Sequence, residues 1–539
     1  MRASILLLVS IIYSGCSSGP VYPEHPNVIF IITDDQHYDT FGFLKGKALT
    51  PNIDRFAEEG LYFSKAYVAS SVCTPSRFTC MTGRYASNCR SERFLRDYSE
   101  EGVPKIAWNL GLERDEPLLA SALNQSGYRT GFIGKWHVGS ISDDFKLVPE
   151  GSDPSDPWVD SILKANQRGY CERIKERFGY DFAQAVYNGN PDDDKSLVNS
   201  GTNVHNMEWL TKAAFDFLES SGDKPFYLYF STTLLHSPSP LASLREDPRK
   251  SGEGILDEPV EGVLPTRESV IQRTLAAGLP EDMVGATWLD DVIGALVGKL
   301  GELGMAENTL VIYFNDNGME THAKGSCYED GINVPVIFRW PARITPGVCD
   351  DFVSNIDFVP TILEVCGVDK PEEMDLDGMS MVPLLHGETP DDWRTSVYSE
   401  IGYTRSVTTR DWKYIAFKVP PSVNRTREER VEEYAPYYDE QIKKNPSLKE
   451  RYPFNPGAPY YQIGIQAGGY VWEWYRMDPD APWLANYFDP DQLYHLSDDP
   501  HESVNLASDP NYAEKLDEMK SLLKEHLKAV PGSFSDLIE

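Results

Sequence analysis

The chain has 539 residues, of which 41% are hydrophobic and 25% charged, a composition typical of a globular protein with a large core. Its 83 acidic and 50 basic side chains give a formal net charge of −33, which argues against nucleic acid as a partner because phosphate backbones require a basic surface. The eight cysteines include no C-x-x-C pair, which disfavours a structural zinc site.

The first residues have the pattern of an export signal. Met1 and Arg2 precede an apolar run at 3–13, which is shorter than the roughly 20 residues that span a bilayer but suits a signal peptide. Ser14 and Gly15 before Cys16 resemble a bacterial lipoprotein processing site, although a tyrosine replaces the usual aliphatic residue. We therefore expect a signal peptide at 1–15, a lipid anchor at Cys16, and a periplasmic or outer membrane-attached protein. Soluble export and a chance apolar start are the alternatives.

Apolar runs then alternate with segments of helical periodicity. Continuous apolar runs are typical of strands buried on both faces of a parallel sheet. The predicted strands are 27–33, 128–133, 225–231, 309–314 and 334–338, and the predicted helices are 51–59, 116–125 and 282–303. This alternation predicts an α/β fold with a large, mostly parallel sheet between layers of helices. The stretches 141–204 and 239–281 match no recognisable pattern, and we expect them to form specificity loops.

The character of the chain changes after residue 387. Short antiparallel strands are predicted at 396–400 and 412–417, then a Pro- and Tyr-rich irregular stretch to about 483 and a terminal helix at 511–530. We therefore place a boundary near Pro390, between a catalytic domain at 24–390 and a smaller α+β subdomain at 391–539.

Polar side chains follow four of the predicted strands directly. Ligands gather at the carboxyl ends of strands in open α/β sheets, so we expect these side chains to converge on one site. They are Asp34 and Asp35, Lys135 and His137, His236, and Asp316 and Asn317.

One short motif is more specific than the others. It runs from Cys73 to Arg77 (CTPSR) and continues as FTCMTGR to Arg84. Read alone, it describes a buried free cysteine near a helix start with Arg77 in a salt bridge. With its continuation, it resembles the C-x-P-S-R signature of the type I sulfatases, a family with the alkaline phosphatase-like fold.

Further segments carry the same resemblance from about residue 27 to residue 506. Asp330 departs from the pattern, because it replaces one glycine of the family's K-G-x-x-x-E-G-G run. The matching segments are TDDQ at 33–36, GKWHVG at 134–139, HSP at 236–238, NDNG at 315–318, KGSCYEDG at 324–331, DFVPT at 357–361, DGMS at 377–380 and LYHL at 493–496.

The resemblance implies a chemistry and a site. Cys73 would be converted by a formylglycine-generating maturation enzyme to 3-oxoalanine, whose hydrate is the nucleophile attacking sulfur. The metal would be Ca²⁺ rather than Mg²⁺. Arg77, His137 and His236 would serve catalysis, and Lys135, Lys324 and His236 would bind a sulfated carbohydrate. The implied metal ligands are Asp34, Asp35, Cys73, Asp316 and Asn317.

Several alternatives stay open at this stage. A phosphonate or phosphate ester hydrolase of the same superfamily is the enzyme alternative, and a non-catalytic lipoprotein that binds sulfated glycans is the other. Arg90, Arg93 and Arg96 either bind an anionic sugar or form a solvated helix face, and His37 is a candidate pocket residue. The six cysteines other than Cys16 and Cys73 are able to form disulfides in an exported protein.

Overall fold

A mixed sheet of eight strands forms the centre of the fold, in a computed structural model that describes residues 25–139, 141, 145–318, 323–424, separate positions between 429 and 446, 486–487 and 489–539. The strands of the described residues are β1 (Asn27–Thr33), β2 (Leu61–Phe63), β3 (Ala66–Tyr67), β4 (Arg129–Lys135), β5 (Phe182–Tyr187), β6 (Phe226–Ser231), β7 (Lys250–Ser251), β8 (Gly254–Ile255), β9 (Thr309–Asn315), β10 (Val336–Arg339), β11 (Gly347–Cys349), β12 (Val353–Ser354), β13 (Ser396–Ile401), β14 (Thr404–Thr409), β15 (Trp412–Phe417) and β16 (Asp491–His495). The order of the strands in the eight-stranded sheet is β11-β2-β10-β9-β1-β6-β4-β5.

The predicted apolar runs form the middle of this sheet. All seven residues of β1 are buried, and β1 pairs in parallel with β6 on one side and β9 on the other. β6 pairs in parallel with β4, and β4 with β5. The expectation of a large, mostly parallel sheet is confirmed.

One predicted strand runs in the opposite direction. The segment predicted at 334–338 forms β10, which pairs antiparallel with both β9 and β2 and so does not continue the parallel series. A parallel return needs a long crossover, usually a helix. Among the described residues between β9 and β10, only four, Glu329–Ile332, are helical.

Helices cover both faces of the sheet and produce two apolar layers. On one face α2, α4 and α12 contribute Phe78, Leu119 and Ile362, and on the other face α1, α7 and α10 contribute Phe56, Phe217 and Leu289. The helices are α1 (Pro51–Glu58), α2 (Cys73–Thr82), α3 (Glu92–Leu95), α4 (Leu119–Gln125), α5 (Pro157–Arg177), α6 (Lys195–Ser200), α7 (Met207–Glu219), α8 (Pro240–Arg245), α9 (Arg267–Ala276), α10 (Val284–Glu302), α11 (Glu329–Ile332), α12 (Phe358–Val365), α13 (Val382–Leu385) and α14 (Ala513–His526).

The region predicted to form specificity loops at 141–204 is largely part of the main fold. It supplies the 21-residue helix α5 and the edge strand β5. The prediction was wrong because two alanines and Gln184 interrupt the apolar residues of β5 (FAQAVY), which gives only a weak strand pattern.

The C-terminal part forms the predicted antiparallel sheet, in the order β13-β14-β15-β16, with α14 packed on β14 and β15. Its apolar core also includes Ala69, Tyr85 and Val103 from the first part of the chain. The two parts therefore share a core, and the boundary near Pro390 stays a prediction.

Other expectations concern the ends of the chain and the cysteines. The signal peptide and Cys16 lie outside the described residues, as does most of the irregular stretch before residue 483. No helix within the described residues has the length and apolar character needed to cross a membrane. The described cysteines are all free thiols, so the disulfides that the sequence permits do not form among them: Cys73, Cys80, Cys89, Cys171, Cys327, Cys349 and Cys366.

Candidate active site

The predicted site residues meet at one edge of the central sheet, where the parallel strands end. Asp34 follows β1, Lys135 ends β4, and Asp316 follows β9. The backbone holds these ends together, because Asp34 N donates to Leu234 O at 2.9 Å and Asp316 N to Thr33 O at 3.2 Å. Apolar strands that end in polar residues therefore bring the predicted clusters to one place.

Cys73 is the first residue of α2 and faces the strand ends. Its Sγ lies 3.3 Å from Asp34 Oδ1 and 3.6 Å from Asn317 Nδ2. The extended Val72 (φ −140°) sets the helix start, and all ten residues of α2 are buried. Gly83, at φ 72°, takes the left-handed conformation that ends the helix. The positive end of the helix dipole thus points at the carboxylates.

The polar atoms around Cys73 fit a hard divalent cation. Asn317 Nδ2 donates to Asp316 Oδ1 at 2.6 Å, but Asn317 Oδ1 is buried without a hydrogen-bond partner. Carboxylate and amide oxygens are the preferred ligands of Ca²⁺ and Mg²⁺. Four potential ligand atoms lie within 4.8 Å of one another, from Asp34, Asp35, Cys73 and His236.

Three buried cations face three buried carboxylates in this centre. Lys135 Nζ donates to Asp34 Oδ2, and Lys324 Nζ lies 2.6 Å from Asp35 Oδ1. Arg77 Nε donates to Asp316 Oδ2 at 3.0 Å, and its Nη2 to Asp34 Oδ2 at 3.3 Å. The protein charges therefore balance, and a bound divalent cation would make the centre net positive.

The charges around each group shift its pKa. Burial alone would raise the pKa of Asp34, but Lys135 and then Arg77 outweigh it and hold that pKa well below its usual value. Burial and the neighbouring Asp34 raise the pKa of Asp316 to about 6. Burial, Asp316 and Asp34 raise the pKa of the Cys73 thiol well above its usual value. The unmodified thiol is therefore a poor nucleophile at neutral pH.

The two predicted catalytic histidines are each close enough to a buried lysine for its charge to act on the ring. Burial lowers the pKa of both imidazoles well below the usual value, helped by Lys135 at His137 and by Lys324 at His236. His137 has a buried Nδ1 without a hydrogen-bond partner. His236 Nε2 lies 3.7 Å from Asp35 Oδ2. Both rings are therefore neutral at pH 7.

Sequence reasoning missed Asn190, which joins two groups of the site. Its Oδ1 accepts from Lys135 Nζ at 2.6 Å, and its Nδ2 lies 3.3 Å from His236 Nε2. It follows β5 closely, so the rule of polar residues after strands would have found it had that strand been recognised. Ser231, which ends β6 and accepts from Arg77 Nη1, was also missed.

Other candidates lie farther away. Arg90, Arg93 and Arg96 come after the C-terminal end of α2, a ten-residue helix about 15 Å long that begins at Cys73. Arg90 is 58% exposed and pairs with Asp375, and the other two are also exposed. Their exposure favours the solvated surface alternative, which stays a prediction. His37 lies just beyond β1, with Nδ1 accepting from the Asp39 amide at 3.2 Å.

Comparisons with known proteins point to one protein family. A family model described as Sulfatase matches residues 26–368, and one described as N-sulphoglucosamine sulphohydrolase, C-terminal, matches residues 320–424. The chain is 29% identical over 402 residues to arylsulfatase A of Homo sapiens, covering 69% of this chain and 70% of that protein. It is 25% identical over 470 residues to the N-acetylgalactosamine-6-O-sulfatase of Bacteroides thetaiotaomicron, covering 74% and 84% of the two chains.

Solved structures share the whole fold. One, from work on glycosaminoglycan metabolism by Bacteroides thetaiotaomicron, superposes with a TM-score of 0.60 at 20% identity, covering 94% of this chain and 100% of that one. Another, solved with its substrate D-glucosamine-2-N,6-O-disulfate, has a TM-score of 0.57 at 18% identity, covering 95% and 98%. The expected alkaline phosphatase-like fold is confirmed.

Proposed function

The chain belongs to the sulfatase family and is a sulfuric ester hydrolase, and from this premise we propose that it removes sulfate from a sulfated carbohydrate through formylglycine formed at Cys73. The observation that carries the proposal is the position of Cys73. It begins a buried helix and faces Asp34 and Asn317 at the strand ends, between Lys135 and Lys324.

The state of the thiol supports modification of Cys73. Burial and two carboxylates raise its pKa, so the thiolate needed for direct attack is scarce at neutral pH. A thiol attacking sulfur would also form a thiosulfate-like adduct with no easy exit. Conversion of Cys73 by a formylglycine-generating maturation enzyme, the partner we propose for this chain, removes both obstacles.

We assign the metal to the centre around Cys73. The oxygens of the site are hard ligands, and the unpartnered Asn317 Oδ1 supplies one that no protein donor satisfies. Ca²⁺ tolerates irregular oxygen shells better than Mg²⁺, which requires near-octahedral geometry. The proposed ligands are Asp34, Asp35, Cys73 as formylglycine, Asp316 and Asn317.

The protein side chains divide the remaining work. When present, the cation supplies Lewis-acid stabilisation and the formylglycine hydrate supplies the attacking hydroxyl. Lys135 and Lys324 bind the sulfate oxygens, because their ammonium groups stand at the two carboxylates that face Cys73. Arg77 orients Asp34 and Asp316 through its hydrogen bonds to both carboxylates. Such fixed charges are usually the largest catalytic term, about 3–4 kcal/mol per donor.

Two proton transfers remain, and the histidines suit them. The neutral His137 has a free Nδ1 that is able to take the proton of the attacking hydroxyl. His236, beside Asp35, is the proposed proton donor to the leaving alcohol, with Lys324 as the second donor. Because its imidazole is neutral at pH 7 in the free protein, we propose that binding of the anionic sulfate ester raises the pKa of His236 so that the ring carries the proton it donates.

The location and substrate follow from the family and the N-terminal pattern. We propose export through the signal at 1–15 with lipid attachment at Cys16, which metabolic labelling with palmitate would detect and a Cys16→Ser control would abolish. The curated relative from Bacteroides acts, by its name, on 6-O-sulfated N-acetylgalactosamine. We therefore propose a sulfated saccharide as the substrate class.

Peptide mass spectrometry tests the modification with an internal control. Trypsin cuts after Lys65, Arg77 and Arg84, so Cys73 lies in the peptide 66–77 and Cys80 in the next peptide, 78–84. We expect a loss of about 18 Da from the first peptide and an intact cysteine in the second. Active enzyme with an unmodified Cys73 would contradict the mechanism. Paired aryl sulfate and aryl phosphonate substrates test the class, and faster phosphonate cleavage would favour the alternative hydrolase.

A further inference from the structure

A buried ionic cluster joins the C-terminal sheet to the loop that carries Lys324. Lys413 Nζ, on β15, lies 2.7 Å from Glu329 Oε1 and 2.9 Å from Glu502 Oε1. Glu502 Oε2 also accepts from the Glu329 amide at 2.6 Å. The side chain of Lys413 is 0% exposed and that of Glu502 is 2% exposed. One lysine therefore holds two carboxylates where α11 begins.

Helix α11 is in turn packed tightly between two segments of the active site. A Cβ on Gly331 would come within 2.4 Å of Ala323 O, next to Lys324. A Cβ on Gly318, next to Asn317, would come within 1.9 Å of Asp330 O. Neither contact leaves room for movement, so a displacement of α11 displaces both segments.

A second link connects the same two parts. Tyr328 donates from its hydroxyl to Gln492 Oε1 on β16 at 2.7 Å, directly before α11. On the other side, Tyr67 donates to Glu329 Oε2 at 3.1 Å. The first turn of α11 is thus held on both sides, and its strongest partner is the lysine.

We propose that Lys413 is a positioning residue for sulfate ester hydrolysis, which fixes Lys324 and the segment 316–318 by clamping Glu329 at the start of α11. The clamp rests on the proposed role of Lys324 in binding the sulfate oxygens. The C-terminal sheet would thus contribute to the active site through Lys413.

The electrostatics of the cluster explain why the lysine matters. Removing one partner of a buried ion pair leaves an uncompensated charge, and here it leaves two neighbouring carboxylates. Burial raises the pKa of Glu502 to about 7 although Lys413 opposes the rise, and Glu329 adds to it. Without the lysine the two carboxylates repel each other until one of them takes up a proton. The titratable groups that face Glu502 are Lys413, Glu329, Tyr67, Tyr328 and Tyr494.

The first test compares two lysines of the same sheet. Lys413→Met removes the clamp, and Lys418→Met removes the ion pair of Lys418 with Asp491, 3.0 Å long, which does not touch α11. With an aryl sulfate substrate we expect Lys413→Met to lower kcat/KM roughly 10–100-fold, since a misplacement of about 1 Å costs up to about 100-fold. We expect it also to weaken inhibition by inorganic sulfate. Lys418→Met should stay within about twofold of wild type. Equal losses in the two variants would overturn the clamp.

A double-mutant cycle with Lys324→Ala separates the clamp from the proposed function. If the clamp acts through Lys324, Lys413→Met adds little further loss in the Lys324→Ala background. Multiplicative losses would overturn the action of the clamp through Lys324, while leaving the role of Lys324 itself intact. A fully active Lys324→Ala would instead remove the sulfate-binding role, and the clamp would fall with it.

The pH profile distinguishes positioning from a general loss of structure. Protonation relieves the two carboxylates, so the deficit of Lys413→Met should shrink as the pH falls and grow as it rises. Adding Glu502→Gln restores the native cluster charge of −1, so this double variant should recover activity relative to Lys413→Met, and it also serves if the single variant does not fold. A deficit independent of pH and unchanged by Glu502→Gln would refute the proposal.

Discussion

Replacement of Arg77 by alanine should destabilise the protein and stop catalysis together. The guanidinium is fully buried, and it donates to Asp316 from Nε at 3.0 Å, to Asp34 from Nη2 at 3.3 Å, and to Ser231 from Nη1. Without the guanidinium, the buried carboxylates of Asp34 and Asp316 lose the positive charge that lies between them. Removing one partner of a buried ion pair costs about 3–5 kcal/mol, and we expect a loss in the free energy of unfolding on that scale.

The loss in the free energy of unfolding should depend both on the charge of residue 77 and on the geometry of its hydrogen-bond donors. Arg77→Lys keeps the charge but loses the planar fork, so it should lose about 1.5–3 kcal/mol, the value of one charged hydrogen bond. The proposed Ca²⁺ would neutralise the same carboxylates, so we expect the Arg77→Ala deficit to be smaller in excess Ca²⁺ than in chelator. Turnover of an aryl sulfate should fall roughly 100-fold or more in Arg77→Ala.

Urea unfolding, followed by fluorescence in chelator and in Ca²⁺, measures these differences. An Arg77→Ala protein within about 0.5 kcal/mol of wild type in chelator would refute the reasoning, because that is the range of ordinary surface substitutions. A deficit that Ca²⁺ leaves unchanged would show that the cation is not bound at the carboxylates that Arg77 pairs with.

Four further outcomes follow. Asn190→Ala should lower kcat roughly 10–100-fold, the scale for groups that orient site residues, because Lys135 and His236 lose a shared partner; steady-state kinetics on an aryl sulfate check this. Chelation should abolish activity, with Ca²⁺ restoring it better than Mg²⁺, and Ca²⁺ at 100 times its Kd should add about 2.7 kcal/mol of stability. Asp290 has a pKa raised by burial to about 7 from 3.8, so the native state binds its proton more tightly and stability falls as the pH rises between these values; Asp290→Asn should flatten that part of the melting-temperature profile. Arg90→Ala should leave kcat/KM within about twofold on a sulfated oligosaccharide, since Arg90 pairs with Asp375 at the surface.

Much of the site could be predicted because its chemistry follows buried parallel strands. The apolar residues of β1 end at the carboxyl edge of the sheet, so the polar residues that follow β1 lie at that edge. Asp34, Lys135 and Asp316 were found in this way, and the C-x-P-S-R motif added Cys73. Asn190 was missed because β5, a partly exposed edge strand, has a weak apolar pattern. A polar residue is assigned to the site only when the strand before it is recognised, so the sequence pattern did not indicate Asn190.

Strand direction and long-range contacts lie beyond such local patterns. β10 reads as one more buried strand, yet it pairs antiparallel, because its direction depends on the connection rather than on its own residues. Asp290 caps α1 from α10, accepting from the amides of Asn52 and Ile53 at 2.8 Å each. Asp290 lies 238 positions after Asn52 and 237 positions after Ile53, and no local pattern in either helix indicates the contact.

The strongly acidic chain and its anionic substrate are compatible because the charges act at different distances. Most of the −33 is spread over the surface, where salt screens each charge within about 10 Å at 0.1 M. In the site, Arg77, Lys135 and Lys324 balance the three aspartates, and they do so in a buried environment that solvent screens little. The proposed divalent cation would make the centre net positive at the proposed sulfate-binding position. Local composition at the strand ends, rather than the net charge of the chain, therefore determines which ion the protein accepts.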